Sequence, residues 1–176
     1  MQPVNGAADV KAALTAYRDG IKSVWDQTMA GIAKGMTPDE LVQTVKLPPE
    51  LAKNPYLQEY YGTVAFTVRG IYAQQAGWFD GNPTHMYPLT EKDRATRLLA
   101  MTGGQVNMLK SAEKALSSGD FQWAAEQADY VLAVEPHNSE ARKIKADALT
   151  ELGERQNNAT ARNYYLTVAQ YLKKNP

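Results

Sequence analysis

The sequence predicts an all-α fold, namely a helical bundle with a tetratricopeptide-like helix hairpin in its C-terminal half. Apolar residues recur at steps of three and four along most of the 176-residue chain, as they do on one face of an α-helix. No run of alternating apolar and polar residues is long enough to indicate a β-sheet. Capping residues, glycines and prolines separate the periodic stretches, so the pattern divides into discrete helices.

The first predicted helix is long and covers residues 7–34, with Gly35 at its end. Apolar residues at helical spacing would form one stripe along it. The stripe consists of Val10, Leu14, Tyr17, Ile21, Val24, Trp25, Met29 and Ile32. Other parts of the protein must cover such a stripe, because apolar surface is unfavourable in water.

A short second helix is predicted after Thr37, whose side chain can cap the helix by accepting from a backbone amide. Pro38 suits the first turn, and Glu40 can reach back to the amide of the cap, which completes a capping box. The helix is expected to run through Val45 and to break at the Leu-Pro-Pro sequence of residues 47–49, because proline lacks an amide donor.

A second long helix is predicted over residues 57–76, with one apolar side. That side is formed by Leu57, Tyr61, Val64, Val68, Ile71 and Tyr72. Residues 77–83 read Gly-Trp-Phe-Asp-Gly-Asn-Pro and end this helix. Two glycines and an Asn-Pro step are typical of a turn, and we expect the adjacent rings of Trp78 and Phe79 to anchor it in a core.

The C-terminal half shows the repeat length of tetratricopeptide helix hairpins. A helix is predicted from Thr90 to the glycine pair at residues 103–104, after which Gly119 and Gly153 lie 34 residues apart, which is that repeat length. The residues between them predict two helices joined at a Pro-His-Asn turn, and a last helix covers residues 160–173. Stacked repeats need about three units to bury a continuous core, so this hairpin is expected to lean on the N-terminal half or on a second copy.

Composition excludes several classes of function. The 19 Lys and Arg residues balance 19 Asp and Glu residues, whereas nucleic-acid binders and polybasic membrane-surface proteins rely on excess positive charge. The chain has no cysteine, which excludes disulfides, thiolate zinc ligands and cysteine nucleophiles. No apolar run approaches the ~20 residues of a membrane helix. His85 and His137 stand in no metal-binding motif, so no catalytic or metal-binding residue is predicted.

Arg69 is a candidate for binding chemistry, since it stands in an apolar stretch beside a glycine. Its guanidinium could clamp a carboxylate or a sulfate with two hydrogen bonds; the alternative is an ion pair within the protein or a side chain at a helix edge. Trp78 and Phe79 have a similar alternative, either core or interface packing or one wall of an alkyl-binding groove. The sequence leaves open whether Tyr61, Arg69 and Tyr72 reach a neighbouring domain or pack within the bundle.

Several stretches resemble the dimerisation domain of the alkyl sulfatases that have a metallo-β-lactamase fold. The sequence of residues 77–83 is highly specific in combination with the others. The resemblance covers nearly the whole chain and implies one all-α dimerisation domain over residues 1–176, with a long-helix dimerising half at 1–89 and a tetratricopeptide-like half at 90–176. The other similar stretches are residues 17–19, 26–28, 35–40, 60–64, 69–72 and 119–126.

The resemblance implies a role for the chain. In that family a domain that binds two zinc ions precedes this region, a lipid-carrier-like domain commonly follows it, and the enzymes hydrolyse alkyl sulfates such as dodecyl sulfate. This chain would be a middle segment without a cofactor of its own, from a periplasmic or secreted parent, although its first residues show no signal-peptide pattern. The residues implied to face an interface or the substrate pocket are Tyr61, Arg69, Tyr72, Trp78, Phe79, Asp80 and Asn82.

One segment departs from the family pattern. Family members related to dodecyl sulfate hydrolases have Ser-His-Asn where this chain has Ala65, Phe66 and Thr67, and an aromatic residue in place of Gln75. The helix that carries them is expected to approach the catalytic domain, so the departure concerns the substrate of the parent enzyme. Dimerisation depends on shape and apolar area and is less affected.

Two hypotheses of different classes follow. The first is a non-catalytic homodimerisation module, because the long apolar helix and the incomplete repeat both need a partner, either a second copy or an adjoining metallo-β-lactamase-fold catalytic domain. The second is a tetratricopeptide-like adaptor that binds a peptide or a partner protein in a groove, for which Arg142, Lys143 and Lys145 are candidates. An independent sulfatase would need metal ligands that the sequence does not offer.

Overall fold

The computed structural model describes residues 3–174, and every regular element in that part of the chain is helical. The prediction of an all-α fold is confirmed. The chain divides into two compact units, one up to Met86 and the other from Tyr87 onward. That both units act as one dimerisation domain stays a prediction.

The first unit contains four α-helices and two short 3-10 turns within the described residues. The predicted capping box is present, since the Thr37 hydroxyl accepts from the Glu40 amide at 3.3 Å and the Glu40 carboxylate accepts from the Thr37 amide at 2.8 Å. The helices are α1 (Ala7–Ile32), α2 (Pro38–Thr44), α3 (Pro49–Ala52) and α4 (Val64–Gln75), and the 3-10 turns are Pro55–Leu57 and Pro83–His85.

The predicted second long helix begins later than expected. Helix α4 starts at Val64, so the expectation that Leu57 and Tyr61 lie on it is wrong. Side chains fix the true start, because the Thr63 hydroxyl accepts from the Phe66 amide at 3.0 Å and the Glu59 carboxylate accepts from the Val64 amide at 2.6 Å. Amides in the first turn of a helix have no partner inside the helix, and these two side chains supply one.

The core of the first unit lies where α1, α2 and α4 meet. Helix α1 approaches α2 at Gly31, where a Cβ atom would lie only 2.2 Å from Leu41 Cδ2. The close approach of the two helices therefore requires a residue without a side chain at this position of α1. The buried apolar residues of this core are Val24, Leu41, Val45, Val68, Ile71 and Tyr72.

The second unit is a stack of five helices within the described residues. Consecutive helices from α6 to α9 pack against each other, and α5 packs on α7. The helices are α5 (Glu91–Met101), α6 (Gln105–Ser117), α7 (Phe121–Val134), α8 (Ser139–Glu154) and α9 (Ala159–Lys174). The small side chains at their shared core allow close approach of the helices. The alanines of this unit with 0% exposure are Ala95, Ala112, Ala124, Ala128, Ala141 and Ala148.

The two glycines that define the 34-residue spacing have different structural roles. Gly119 follows α6 with a φ of +85°, a conformation that favours glycine. Gly153 lies inside α8, where a Cβ atom would be 2.8 Å from Leu166 Cδ2 of α9. The tetratricopeptide-like character of the hairpin stays a prediction.

Helix α6 was not predicted from the sequence. Its buried residues nevertheless recur at helical spacing, and they are Met108, Leu109, Ala112 and Ala115.

Candidate functional site

The apolar stripe of α1 is exposed along the first half of the helix. Leu14 is 66% exposed, Tyr17 54% and Ile21 58%. Of the eight residues in the predicted stripe, only Val24 is buried. The stripe is therefore largely outside the core, because α1 docks on its own unit mainly through its second half. The residues of α1 that the unit buries are Gly20, Val24, Thr28 and Gly31.

The exposed residues belong to a longer row on the same side of α1. Its exposed part, the open row, consists of Val10, Leu14, Tyr17 and Ile21, and its buried part, the filled row, consists of Val24, Thr28 and Gly31. Steps of four and three alternate from the first residue to the last, which is the spacing by which one helix packs along another. The first unit buries the filled row against its own core, whereas the open row faces solvent.

A groove of about 270 Å³ lies beside the open row. Tyr17 and Ile21 contribute to one wall, and the loop before α4 contributes Tyr60 and Tyr61 to the other. Both loop tyrosines are exposed, Tyr61 to 76%. Tyr61 is thus placed at the surface beside α1, although the sequence predicted it on a helix.

Arg69 is held by an ion pair within the chain. Its Nη2 atom lies 2.7 Å from Oδ1 of Asp39 in the first turn of α2. Both side chains are more than half exposed, so water screens their attraction. This geometry corresponds to the ion-pair alternative, in which a carboxylate of the same chain engages the guanidinium.

The turn after α4 brings together Tyr72, Trp78 and Phe79. The buried Tyr72 donates its hydroxyl hydrogen to the carbonyl oxygen of Phe79 at 3.4 Å. The rings of Trp78 and Phe79 meet edge to face, with centroids 5.8 Å apart. The expectation that both rings are anchored in a core is wrong for Trp78, which is 73% exposed. The chain turns at Gly77, with a φ of +80°, and leaves only Phe79 partly buried.

Asp80 and Asn82 shape the same turn with their side chains. The Asp80 carboxylate accepts from the Asn82 amide at 3.0 Å and lies 2.6 Å from Nδ1 of His85. The bond from the Asn82 amide, followed by the bond to His85, lowers the pKa of the Asp80 carboxyl. The Asn82 side-chain oxygen accepts from the Thr84 amide at 3.2 Å. Asp80 and Asn82, both predicted as site residues, therefore have a structural role in this turn.

Within residues 3–174, no three side chains of His, Asp or Glu come together in a group able to hold a metal ion. No helix in that range is both long and apolar enough to cross a membrane.

The basic residues proposed for a peptide groove make contacts within the second unit. Arg142 donates from Nε to the carbonyl oxygen of Pro136 at 2.8 Å. Lys143 and Lys145 each form an ion pair with an aspartate of the same unit. These contacts do not favour the adaptor hypothesis, since a peptide would have to displace them.

Sequence comparison matches the chain to proteins that act on sulfate esters. The family described as alkyl sulfatase dimerisation matches residues 37–175. A linear primary-alkylsulfatase from a Pseudomonas species is 45% identical over 173 residues, which are 98% of this chain and 33% of that protein. An alkyl/aryl-sulfatase of Saccharomyces cerevisiae is 32% identical over 171 residues, which are 97% of this chain and 26% of that protein.

A solved structure shares both fold and sequence with the chain. The structure of a stereoselective inverting sec-alkylsulfatase from a Pseudomonas species matches with a TM-score of 0.94 and 32% identity, over 99% of this chain and 28% of that one. The chain spans a quarter to a third of the length of the curated relatives that it matches.

Proposed function

Because the chain belongs to the alkyl sulfatase dimerisation family, we propose that it is the non-catalytic homodimerisation module of an alkyl-sulfatase-like zinc hydrolase. The observation that carries this proposal is the open row of α1, whose large apolar side chains face solvent. A large contiguous apolar patch on a folded protein is typical of an interaction site. A second copy is the occupant that the family's description implies, and the matched residues begin just after α1, at residue 37.

The catalytic chemistry in this proposal lies outside the chain. The parent enzyme would hydrolyse alkyl sulfate esters with two zinc ions held by an adjoining metallo-β-lactamase-fold domain. The described residues do not fit such a centre, since the carboxylate of Asp80 and the imidazole of His85 bond to each other and no third ligand of the described chain joins them. No step of the hydrolysis is assigned to this chain.

The predicted site residues divide into two groups under this proposal. Tyr61 and Trp78 offer exposed aromatic surface to a second copy or to the catalytic domain. Tyr72, Asp80 and Asn82 hold the turn that carries Trp78 and act on the interface indirectly. Phe79 braces the indole of Trp78 edge to face, and Arg69 ties α4 to α2.

The test is the oligomeric state of the full chain at micromolar concentration. Light scattering should give twice the 19.4 kDa mass of one chain, and a strictly monomeric species would contradict the proposed dimerisation. Zinc analysis and an alkyl-sulfate hydrolysis assay on the same sample should both be negative. A clear positive in either would overturn the assignment of the chemistry to another domain.

A further inference from the structure

We propose that α1 pairs antiparallel with α1 of a second copy through the open row, Val10, Leu14, Tyr17 and Ile21. The two-fold axis would pass between Leu14 and Tyr17. This inference rests on the proposed function, since it requires self-association, and it adds the surface used and the direction of the helices.

The division of the row into an open and a filled part indicates the kind of occupant. The core of the first unit takes up the filled row, and the spacing continues without a break into the open row. Because alternating steps of four and three fit a facing helix, a helix is the matching occupant for the open part. In a two-fold dimer the same patch lies on both sides of the interface, and two open rows provide such a self-complementary patch.

The filled row favours antiparallel over parallel pairing of the two α1 helices. Parallel helices in register would bring the second α1 against the filled row, where Leu41 already packs at Gly31. An antiparallel pair avoids that region and places Val10 opposite Ile21 and Leu14 opposite Tyr17. At 1.5 Å per residue, the contact along the helix would be about 16 Å long.

The area of a stable dimer requires more than the open row. Four side chains fall short of the ~800 Å² per partner that a typical specific interface buries. In the antiparallel pair, the start of the second α1 lies beside Ile21 and hence next to the groove lined by Tyr60 and Tyr61. These exposed tyrosines would supply further contact area.

The charges beside the open row are compatible with this arrangement. In this antiparallel register Lys22 of one copy lies level with Asp9 of the other, and Arg18 lies level with Ala13. Arg18 pairs with Asp19 and Lys22 pairs with Asp26 within α1. The approaching flanks are therefore mixed in sign, and repulsion between them is small.

The cysteine-free sequence allows a direct test by disulfide crosslinking. Co-expressed and oxidised Val10→Cys and Ile21→Cys chains should crosslink to each other, while each variant alone should not. A disulfide requires Cα atoms within about 7 Å, and only opposed residues meet that limit. Parallel pairing would give the reverse result, in which each variant crosslinks with itself. Tyr164→Cys, exposed on α9, is the control for random collision.

Leu14→Glu tests whether the open row forms the dimer interface. The dimer dissociation constant measured by analytical ultracentrifugation should rise at least ~10-fold, because an unpaired carboxylate would be buried at the axis. Circular dichroism should be unchanged, since Leu14 is exposed in the protomer, and Tyr164→Glu should leave the constant unchanged. A dimer that survives Leu14→Glu and shows no crosslink between residues 10 and 21 would overturn this pairing and leave the proposed dimerisation standing. A monomeric wild-type chain would contradict the proposed function instead.

Discussion

The hydroxyl of Tyr72 donates to the carbonyl oxygen of Phe79, with 3.4 Å between the two oxygens. This bond joins the buried side of α4 to the turn that follows the helix. Trp78, next to Phe79, is exposed, and Tyr72 helps to fix the turn that carries its ring. The bond thereby links a buried residue of the first unit to the turn that carries the exposed Trp78.

Tyr72→Phe removes this bond and keeps the buried ring. We expect the free energy of unfolding to fall by about 0.5–1 kcal/mol, since the bond is long and therefore at the weak end of its class. Urea denaturation measures the change. Tyr61→Phe is the matched control and should have no effect, because Tyr61 is exposed. Equal losses in the two variants would show that the bond to Phe79 contributes nothing.

Gly31→Ala should destabilise the first unit. The added Cβ would lie 2.2 Å from Leu41 Cδ2, and relief of such overpacking typically costs about 1–3 kcal/mol. Gly70→Ala is the matched control on α4, where an added Cβ meets no atom of the described chain within 4 Å. Alanine at an exposed helical site should raise stability by about 0.5–1 kcal/mol. The two variants should therefore shift the thermal midpoint in opposite directions, and shifts of the same sign would contradict the close approach at Gly31.

Local chemistry made two helix ends predictable, whereas burial depended on docking. The capping box at Thr37 and the end of α1 before Gly35 are set by neighbouring residues, and both are found where predicted. The stripe of α1 is apolar in sequence, but the unit docks at Gly20 and Gly31 and so leaves most of the stripe open. Periodicity shows that a face is apolar, and it does not show what covers that face.

Apolar spacing alone did not locate the start of α4 or the partner of Arg69. Helical spacing of apolar residues continues back to Leu57. The helix nevertheless starts only at Val64, where the side chains of Glu59 and Thr63 cap its first turn. The sequence could not decide whether Arg69 is a ligand clamp or part of an ion pair. Its partner Asp39 is 30 positions away, and only the fold brings the two side chains within 2.7 Å. Long-range proximity of this kind has no signal in one sequence.

Gln127→Met should stabilise the second unit. Gln127 is 3% exposed and donates to the Ser111 hydroxyl at 3.0 Å, but its side-chain oxygen has no hydrogen-bond partner among the described residues. Removing a buried unsatisfied acceptor should offset the lost bond and raise the free energy of unfolding by about 1 kcal/mol. The exposed Gln122→Met is the control and should stay within about 0.5 kcal/mol of wild type. A loss of stability in Gln127→Met would mean that the oxygen is satisfied in solution.

Asp80→Asn should change the dependence of stability on pH. A carboxyl whose pKa is lowered on folding stabilises the folded state above its unfolded pKa, and that contribution disappears as the pH falls through the folded pKa. The stability of wild type relative to Asp80→Asn should therefore be highest near neutral pH and shrink below the ordinary carboxyl value of 3.8. Denaturation of both proteins between pH 7 and pH 2 measures this difference. A difference that is constant across that range would exclude a charge contribution from Asp80.

Mutation of Arg69 and Asp39 distinguishes an ion pair at Arg69 from a clamp that binds a ligand. A double-mutant cycle of Arg69→Ala and Asp39→Ala should give a coupling of about 0.2–1 kcal/mol, because both side chains are more than half exposed. Salt should weaken the coupling, since it screens exposed charges. If Asp39 engages the guanidinium, the thermal midpoint of wild type should respond to sodium sulfate no more than that of Arg69→Ala. A larger response in wild type, together with zero coupling, would instead identify Arg69 as an anion-binding residue.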